Sequence, residues 1–169
     1  MGLDMYLYAK LWASKYSQPE NNKKLWELAP FKPIENFNYA ELKLGIGYWR
    51  KANHIHKWFV DNVQDGEDDC GNYYVSRNKL KELLEICEKI EKLVKLKEGN
   101  VVIGRRFTER SIEKIKAIAK ELLPTREGFF FGETEYNEYY LNDIQDTIKI
   151  IKRCLKLPKE WSFEYHSNW

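Results

Sequence analysis

Between positions 45 and 59 the chain reads Gly45-Ile46-Gly47-Tyr48-Trp49-Arg50-Lys51-Ala52-Asn53-His54-Ile55-His56-Lys57-Trp58-Phe59. Two adjacent cations, two imidazoles, an amide and large aromatic rings follow a pair of glycines. Cations of this kind bind phosphate or carboxylate, rings stack on a heterocycle, and an amide or imidazole reads a polar edge. The combination suits a planar, anionic small molecule and names no reaction. Gly45 and Gly47, placed ahead of a helix, could bring backbone amides to a phosphate with Arg50 as a bidentate clamp. The alternative is a bulge or a sheet-to-helix turn. Arg50 stands where GxGxxG needs its third glycine, and no Walker lysine-serine pair follows.

His54 and His56 are two apart. On a helix they project about 200° from one another, so they cannot share a metal as residues four apart would, and no metal site is expected. His56 shares a helical stripe with Trp49 and Asn53, which makes it either a ligand contact or general base, or a hydrogen-bonded structural residue. The acidic run Asp65, Glu67, Asp68, Asp69 lacks the spacing of a calcium loop. Asp69 would orient an arginine or a ribose hydroxyl if the loop folded over the helix. Arg105 follows Gly104 much as Arg50 follows Gly47 and offers a second phosphate contact or an ordinary surface charge.

A second dense region runs from Phe129 to Tyr140. Alternate phenylalanines point to opposite faces, which sends Phe130 away from its neighbours' core, and Thr134, Tyr136 and Tyr139 bring hydroxyls beside a stacking face. An aromatic subcore with a helix cap explains the same residues. Tyr6 and Tyr48, with Lys51, complete the candidate set. No Ser-His-Asp order, nucleophilic cysteine context or catalytic carboxylate pair appears, so the sequence favours binding over catalysis and implies no cofactor.

The elements that must position these residues follow from periodicity. Leu3 to Lys10 alternates, with Leu3, Met5, Leu7 and Ala9 on one side, and so does Trp161 to His166; both are strands. Residues 17–38, with three prolines, read as irregular connection with one helical turn near Leu25. Tyr39 to Gly47 is a strand, and the spacing of Tyr48, Ala52, Ile55, Phe59 and Val63 predicts a helix from there to Val63. Gln64 to Gly71 is a loop and Asn72 to Ser76 a short strand. Leu80, Leu83, Leu84, Cys87, Ile90 and Val94 mark a long amphipathic helix from Asn78, stopped at 98–100. Thr108 caps the next helix, which Pro124 ends, and residues 128–132 form a short strand or turn. A last helix after Asn137 turns Tyr140, Ile144, Ile148, Ile151 and Leu155 inward. The expected fold is a single α+β domain over residues 1–169: a small antiparallel or mixed sheet, about four helices packed on it, and the N- and C-terminal strands adjacent.

Composition bounds the function classes. The 169 residues include 43% hydrophobic and 32% charged, with 28 Lys+Arg against 26 Asp+Glu. A net charge of +2 argues against a dedicated nucleic-acid binder. Three cysteines at 70, 87 and 154 fit reduced thiols, with Cys87 and Cys154 in the core. Neither a signal peptide nor a membrane span is expected. The apolar stripes exceed what one small sheet can cover, which points to a homo-oligomer.

Several runs resemble a widespread family of small bacteriophage proteins: the opening Met1 to Tyr8, Tyr48-Trp49-Arg50-Lys51-Ala52-Asn53, Ile55-His56-Lys57-Trp58-Phe59, Asp69-Cys70-Gly71, Leu122-Leu123-Pro124-Thr125, Gly128-Phe129-Phe130-Phe131-Gly132 and Phe163-Glu164-Tyr165. Members are sometimes labelled phosphoglycerate kinase, a much longer two-domain enzyme whose nucleotide motifs this chain lacks. The resemblance implies a life in the cytoplasm of an infected bacterial host. In that setting the residue inventory is similar in character to anti-defence sponges, which sequester nucleotide-derived immune signals such as cyclic oligonucleotides or ADP-ribose derivatives without cleaving them. Two alternatives stay open: a phosphodiesterase or nucleotide hydrolase with His56 as acid or base, and a protein-binding inhibitor of a host factor.

Overall fold

Alternation along the first strand builds the sheet. In β1 (Asp4–Ser14) the odd positions Met5, Leu7, Ala9 and Ala13 are buried, and the even positions Tyr6, Tyr8 and Lys10 remain half-exposed. A computed structural model describes residues 2–34, 38–97 and 109–169 of the chain. The other elements are α1 (Pro19–Glu27), β2 (Tyr39–Arg50), α2 (Asn53–Val63), β3 (Asn72–Val75), α3 (Arg77–Lys97), α4 (Glu109–Leu122), α5 (Glu138–Leu155) and β4 (Trp161–Asn168). The strands form one antiparallel sheet in the order β2-β1-β4-β3. Asp4 stands opposite Asn168 and Leu11 opposite Trp161, so the two terminal strands are the central pair of an α+β fold.

The core lies between the odd face of β1 and the helices. Phe59 of α2 stacks on Tyr165 of β4 with ring centroids 3.9 Å apart and planes at 9°. Leu80, Leu83, Cys87 and Ile90 of α3 meet Ile144, Ile148, Ile151 and Cys154 of α5 in one buried cluster. Each such fully buried aliphatic or aromatic side chain contributes about 1.5–3 kcal/mol relative to exposure. Trp49 joins α5 to the sheet by donating from Nε1 to Thr147 Oγ1 at 2.8 Å, which satisfies the one polar atom of a buried indole.

Several boundaries differ from those that periodicity predicts. The segment after Ser17 holds a nine-residue helix, α1, rather than one turn; Pro19 opens it, and buried Asn22 ties it to the end of β1 by donating to Ala13 O at 2.9 Å. The strand β2 runs through Arg50, and α2 starts only at Asn53. Tyr48, Trp49 and Arg50 therefore alternate across a sheet, where cross-strand pairing with Tyr6, Met5 and Asp4 outweighs a helical spacing that was equally compatible with the sequence. Of the two forms expected for residues 128–132 the turn is the one present, with Phe129 and Phe130 exposed and Phe131 buried. The described helices are five and the strands four. The expected cap at Thr108, the stop at 98–100 and Arg105 lie outside the described residues.

The two glycines of β2 belong to a bulge. Leu7 pairs with Gly47 and Tyr8 with Gly45, leaving Ile46 as the extra residue. A Cβ on Gly47 would stand 2.5 Å from Ile150 Cγ2, so glycine lets α5 lie directly on the strand.

Candidate functional site

Where β2 ends, the backbone bends sharply toward α2. Lys51 takes φ 60°, its N–H donates to Leu3 O at 2.8 Å, and Leu3 N–H in turn donates to Phe130 O at 3.4 Å. Phe130 also adopts a left-handed φ of 70°. Gly132, at φ 91°, lies so close that a Cβ there would stand 2.9 Å from Lys51 Cβ. Non-glycine residues held at positive φ cost free energy that surrounding structure must offset, and two of them flank this junction.

Asn53 supplies that structure. Its Nδ2 donates to Phe131 O at 3.2 Å and Glu133 O at 2.8 Å, and its Oδ1 accepts from Arg126 N–H at 3.1 Å. One buried amide thereby fastens the 126–133 loop over the start of α2. Asn137 caps α5 by accepting from Tyr139 and Tyr140 N–H, which places the first turns of α5 across from Lys51.

Between these parts lies a cleft of about 290 Å³. Arg50, Lys51 and Tyr139 stand at its mouth, and Tyr139 is 74% exposed. Buried His54 and Tyr140 and partly buried Asp143 line it as well. Arg50 lies 3.9 Å from Asp4, a loose contact, and among the described residues Lys51 has no ion pair. Two carboxylates, Glu133 and Glu135, also line the cleft, but Glu133 accepts from Asn137 Nδ2 at 3.1 Å and Glu135 pairs with Lys116 at 3.5 Å.

His54 is 3% exposed, and its Nε2 has no hydrogen-bond partner. Its ring lies against Tyr140 with centroids 4.1 Å apart, and Tyr140 is fixed by donating from its hydroxyl to Leu123 O at 3.0 Å. Burial lowers the His54 pKa to about 3, so the ring is neutral at physiological pH. Asp143 shifts the other way: burial, with a smaller contribution from Asp146, raises its pKa to about 7. The cleft lining thus includes a neutral imidazole and a carboxyl that titrates near neutrality. Among the described residues no hydrogen bond joins them.

Of the residues that sequence reasoning selected, the structure brings Arg50, Lys51 and Tyr139 into the cleft, with Phe130 on the turn beside it. Trp49 and Asn53 are buried in structural hydrogen bonds. His56 is fully buried, with Nδ1 2.8 Å from Tyr165 Oη and Nε2 2.9 Å from Asp68 Oδ1, and Asp68 also pairs with Arg126 at 3.0 Å. The acid that orients an arginine is thus Asp68; Asp69 instead accepts from Gly71 N–H and Tyr73 Oη within its own loop. Tyr136 is buried, its hydroxyl accepting from Thr125 N–H, and Thr134 contributes its carbonyl to Thr125 Oγ1. Tyr6 and Tyr48 lie in a row with His166 at centroid distances of 5.4 and 6.0 Å, on the sheet face to which Arg50 also alternates, and Tyr48 donates to the Asp4 carboxylate that Arg50 approaches.

Sequence reasoning missed His54 and Asp143. Asp143 had a readable signal: three residues after Tyr140 and four before Thr147, it places a carboxylate beside the inward stripe of α5. Among the described residues no group of three or more His, Cys, Asp or Glu side chains could hold a metal ion, and no helix is long and apolar enough to cross a membrane. No family profile, curated protein or solved structure matches the chain.

Proposed function

We propose that this cleft captures a small nucleotide-derived anion and holds it without converting it. In the phage setting that the residue runs imply, the protein would remove a nucleotide immune signal from an infected cell. The observation that carries the reading is a cleft lined by the exposed cations Arg50 and Lys51, of which Lys51 has no ion pair among the described residues. The cleft volume is at the low end for small-molecule sites, which suits a mononucleotide-sized ligand or a larger one that extends over exposed Tyr139 and Phe130.

A carboxyl titrating near neutrality in the same cleft lining as a neutral imidazole also supports a second reading, acid–base hydrolysis with Asp143 and His54 in place of His56. One experiment separates the two. Incubation with cyclic dinucleotides, cyclic trinucleotides and cyclic ADP-ribose isomers should deplete one class, and heat denaturation should return it intact. Arg50→Ala should weaken capture by about 0.5–1.5 kcal/mol while the fold survives, because Arg50 is largely exposed. A linear or dephosphorylated product lost with Asp143→Asn would establish the hydrolase instead.

A further inference from the structure

We infer that β2 is the interface of a homodimer: two copies of the chain join antiparallel along this strand, about a two-fold axis at Leu42, and merge their sheets into one. The order β2-β1-β4-β3 puts β2 at an edge, and among the described residues β1 is the strand that pairs with it. The other edge strand, β3, has four residues and β2 has twelve, so β2 carries by far the longer row of main-chain donors and acceptors on its outer side. Such an edge templates pairing with another chain unless proline, a bulge or repelling charge blocks it. No proline lies in β2, and its bulge comes only at Ile46.

Two independent features give the register. Pairing of β2 with β1 is regular from Tyr39 to Gly45, where the bulge begins, and Leu42 is the midpoint of that stretch. Charge selects the same centre. Directly opposed residues of an antiparallel pair share a face, so a symmetric pair of identical strands centres on a residue. Centred on Glu41 or on Lys43, the pair sets that charge against its own copy. Centred on Leu42, it sets Glu41 against Lys43 of the second copy on one flank and Lys43 against Glu41 on the other, the favourable arrangement. Lys43 gains from it, because it stands directly opposite Lys10 of β1. Inside the chain one acid, Glu164, accepts from both, from Lys10 at 3.1 Å and from Lys43 at 2.5 Å, while Glu41 pairs with Lys10 at 3.2 Å. A carboxylate on the outer flank of Lys43 offsets the second cation. On the helix-bearing face Leu42 meets its own copy and half-exposed Leu44 meets Ala40. Arg50 and Lys51 lie beyond the bulge and outside the joined segment.

Sedimentation equilibrium of the full chain over a dilution series tests this. The wild type should fit a monomer–dimer equilibrium. Glu41→Lys alone and Lys43→Glu alone each set like charges opposite one another on both flanks and should weaken dimerisation by about 10-fold or more. Each also loses an ion pair inside the chain, so the decisive measurement is the two variants mixed. The mixture sets two cations on one strand against two carboxylates on the other and should form dimers containing one chain of each kind, which a merely misfolded variant cannot do. Crosslinking reads the register. Leu42→Cys should give a disulfide-linked dimer on oxidation, because directly opposed strand positions lie within disulfide reach, whereas Ala40→Cys, set opposite Leu44, should stay at the background that exposed Cys70 gives in the wild type. A wild type that stays monomeric at every concentration, a mixture that does not associate, or Ala40→Cys crosslinking as readily as Leu42→Cys overturns the inference.

Discussion

His54 and His56 lie within one turn of α2 and share the same chemistry, yet they end in opposite conditions. His56 has both ring nitrogens engaged, by Tyr165 of β4 and by Asp68, whose other oxygen holds Arg126. That network fastens the loop after α2 and the 125–127 segment onto the sheet. Burial lowers the His56 pKa, and the facing Asp68 carboxylate opposes the shift. His54, two residues earlier, has an unpartnered nitrogen and a pKa that burial alone depresses. The contrast shows that one residue type can be tied into a structural network or left without a partner two positions away. A satisfied buried group supports the fold, whereas an unsatisfied one costs it free energy.

The most severe way to break the structural side of this contrast is to end the chain before Trp161. This removes β4, the strand between β1 and β3, together with Tyr165, the partner of His56 and the stacking face of Phe59. The truncated protein should show no cooperative thermal unfolding by circular dichroism. Retention of the wild-type transition would mean that β4 is dispensable.

Next in size is the substitution of each histidine by alanine. His56→Ala removes the partner of buried Tyr165 Oη and one of the two partners of Asp68 and should lower stability by about 2–4 kcal/mol in denaturant titration. His54→Ala breaks no side-chain hydrogen bond at Nε2 and loses only the packing of its ring on Tyr140, so its loss should be smaller than that of His56→Ala. Equal losses from the two variants would erase the distinction.

The smallest expected effect sharpens the description of the cleft itself. His54 has a folded pKa of about 3 against 6.5 for an unperturbed imidazole, so the unfolded chain takes up a proton that the folded protein refuses. Its contribution to stability therefore falls as pH drops from about 6.5 to 3. Asp143 has a folded pKa of about 7 against 3.8, so the folded protein keeps a proton that the unfolded chain has released. Its contribution falls as pH rises from 3.8 to about 7. Relative to wild type, His54→Phe should gain most at acid pH and Asp143→Asn most at neutral pH, each by on the order of 1 kcal/mol after solvent screening. Difference curves tilting the same way would show that one of the two groups is not in the environment described.

Much of the scaffold is legible residue by residue. Leu3, Met5, Leu7 and Ala9 alternate cleanly because one face of β1 is buried, and Trp161 to His166 does the same; two chain ends each needing a partner pair with one another. The long stripes of α3 and α5 and the cap at Asn137 are visible for the same reason, since each is a local consequence of side-chain period and capping chemistry. Residues 48–52 are not decided locally. Their spacing fits a helix and a strand alike, and only the ladder to β1 selects the strand, moving Arg50 from a helix start to a strand end beside the cleft. The cleft shows the same limit. Arg50, Lys51 and Tyr139 are conspicuous as residue types, but which of two adjacent histidines is satisfied depends on Tyr165, Asp68 and Tyr140, which are distant from them in the chain or brought in by loop closure. The sequence by itself determined the periods, the caps and the chemical inventory. Tertiary packing decided which polar atoms found partners and how far burial moved His54 and Asp143 from their ordinary pKa values, because hydrogen-bond satisfaction and desolvation are properties of the assembled surroundings and not of the residue.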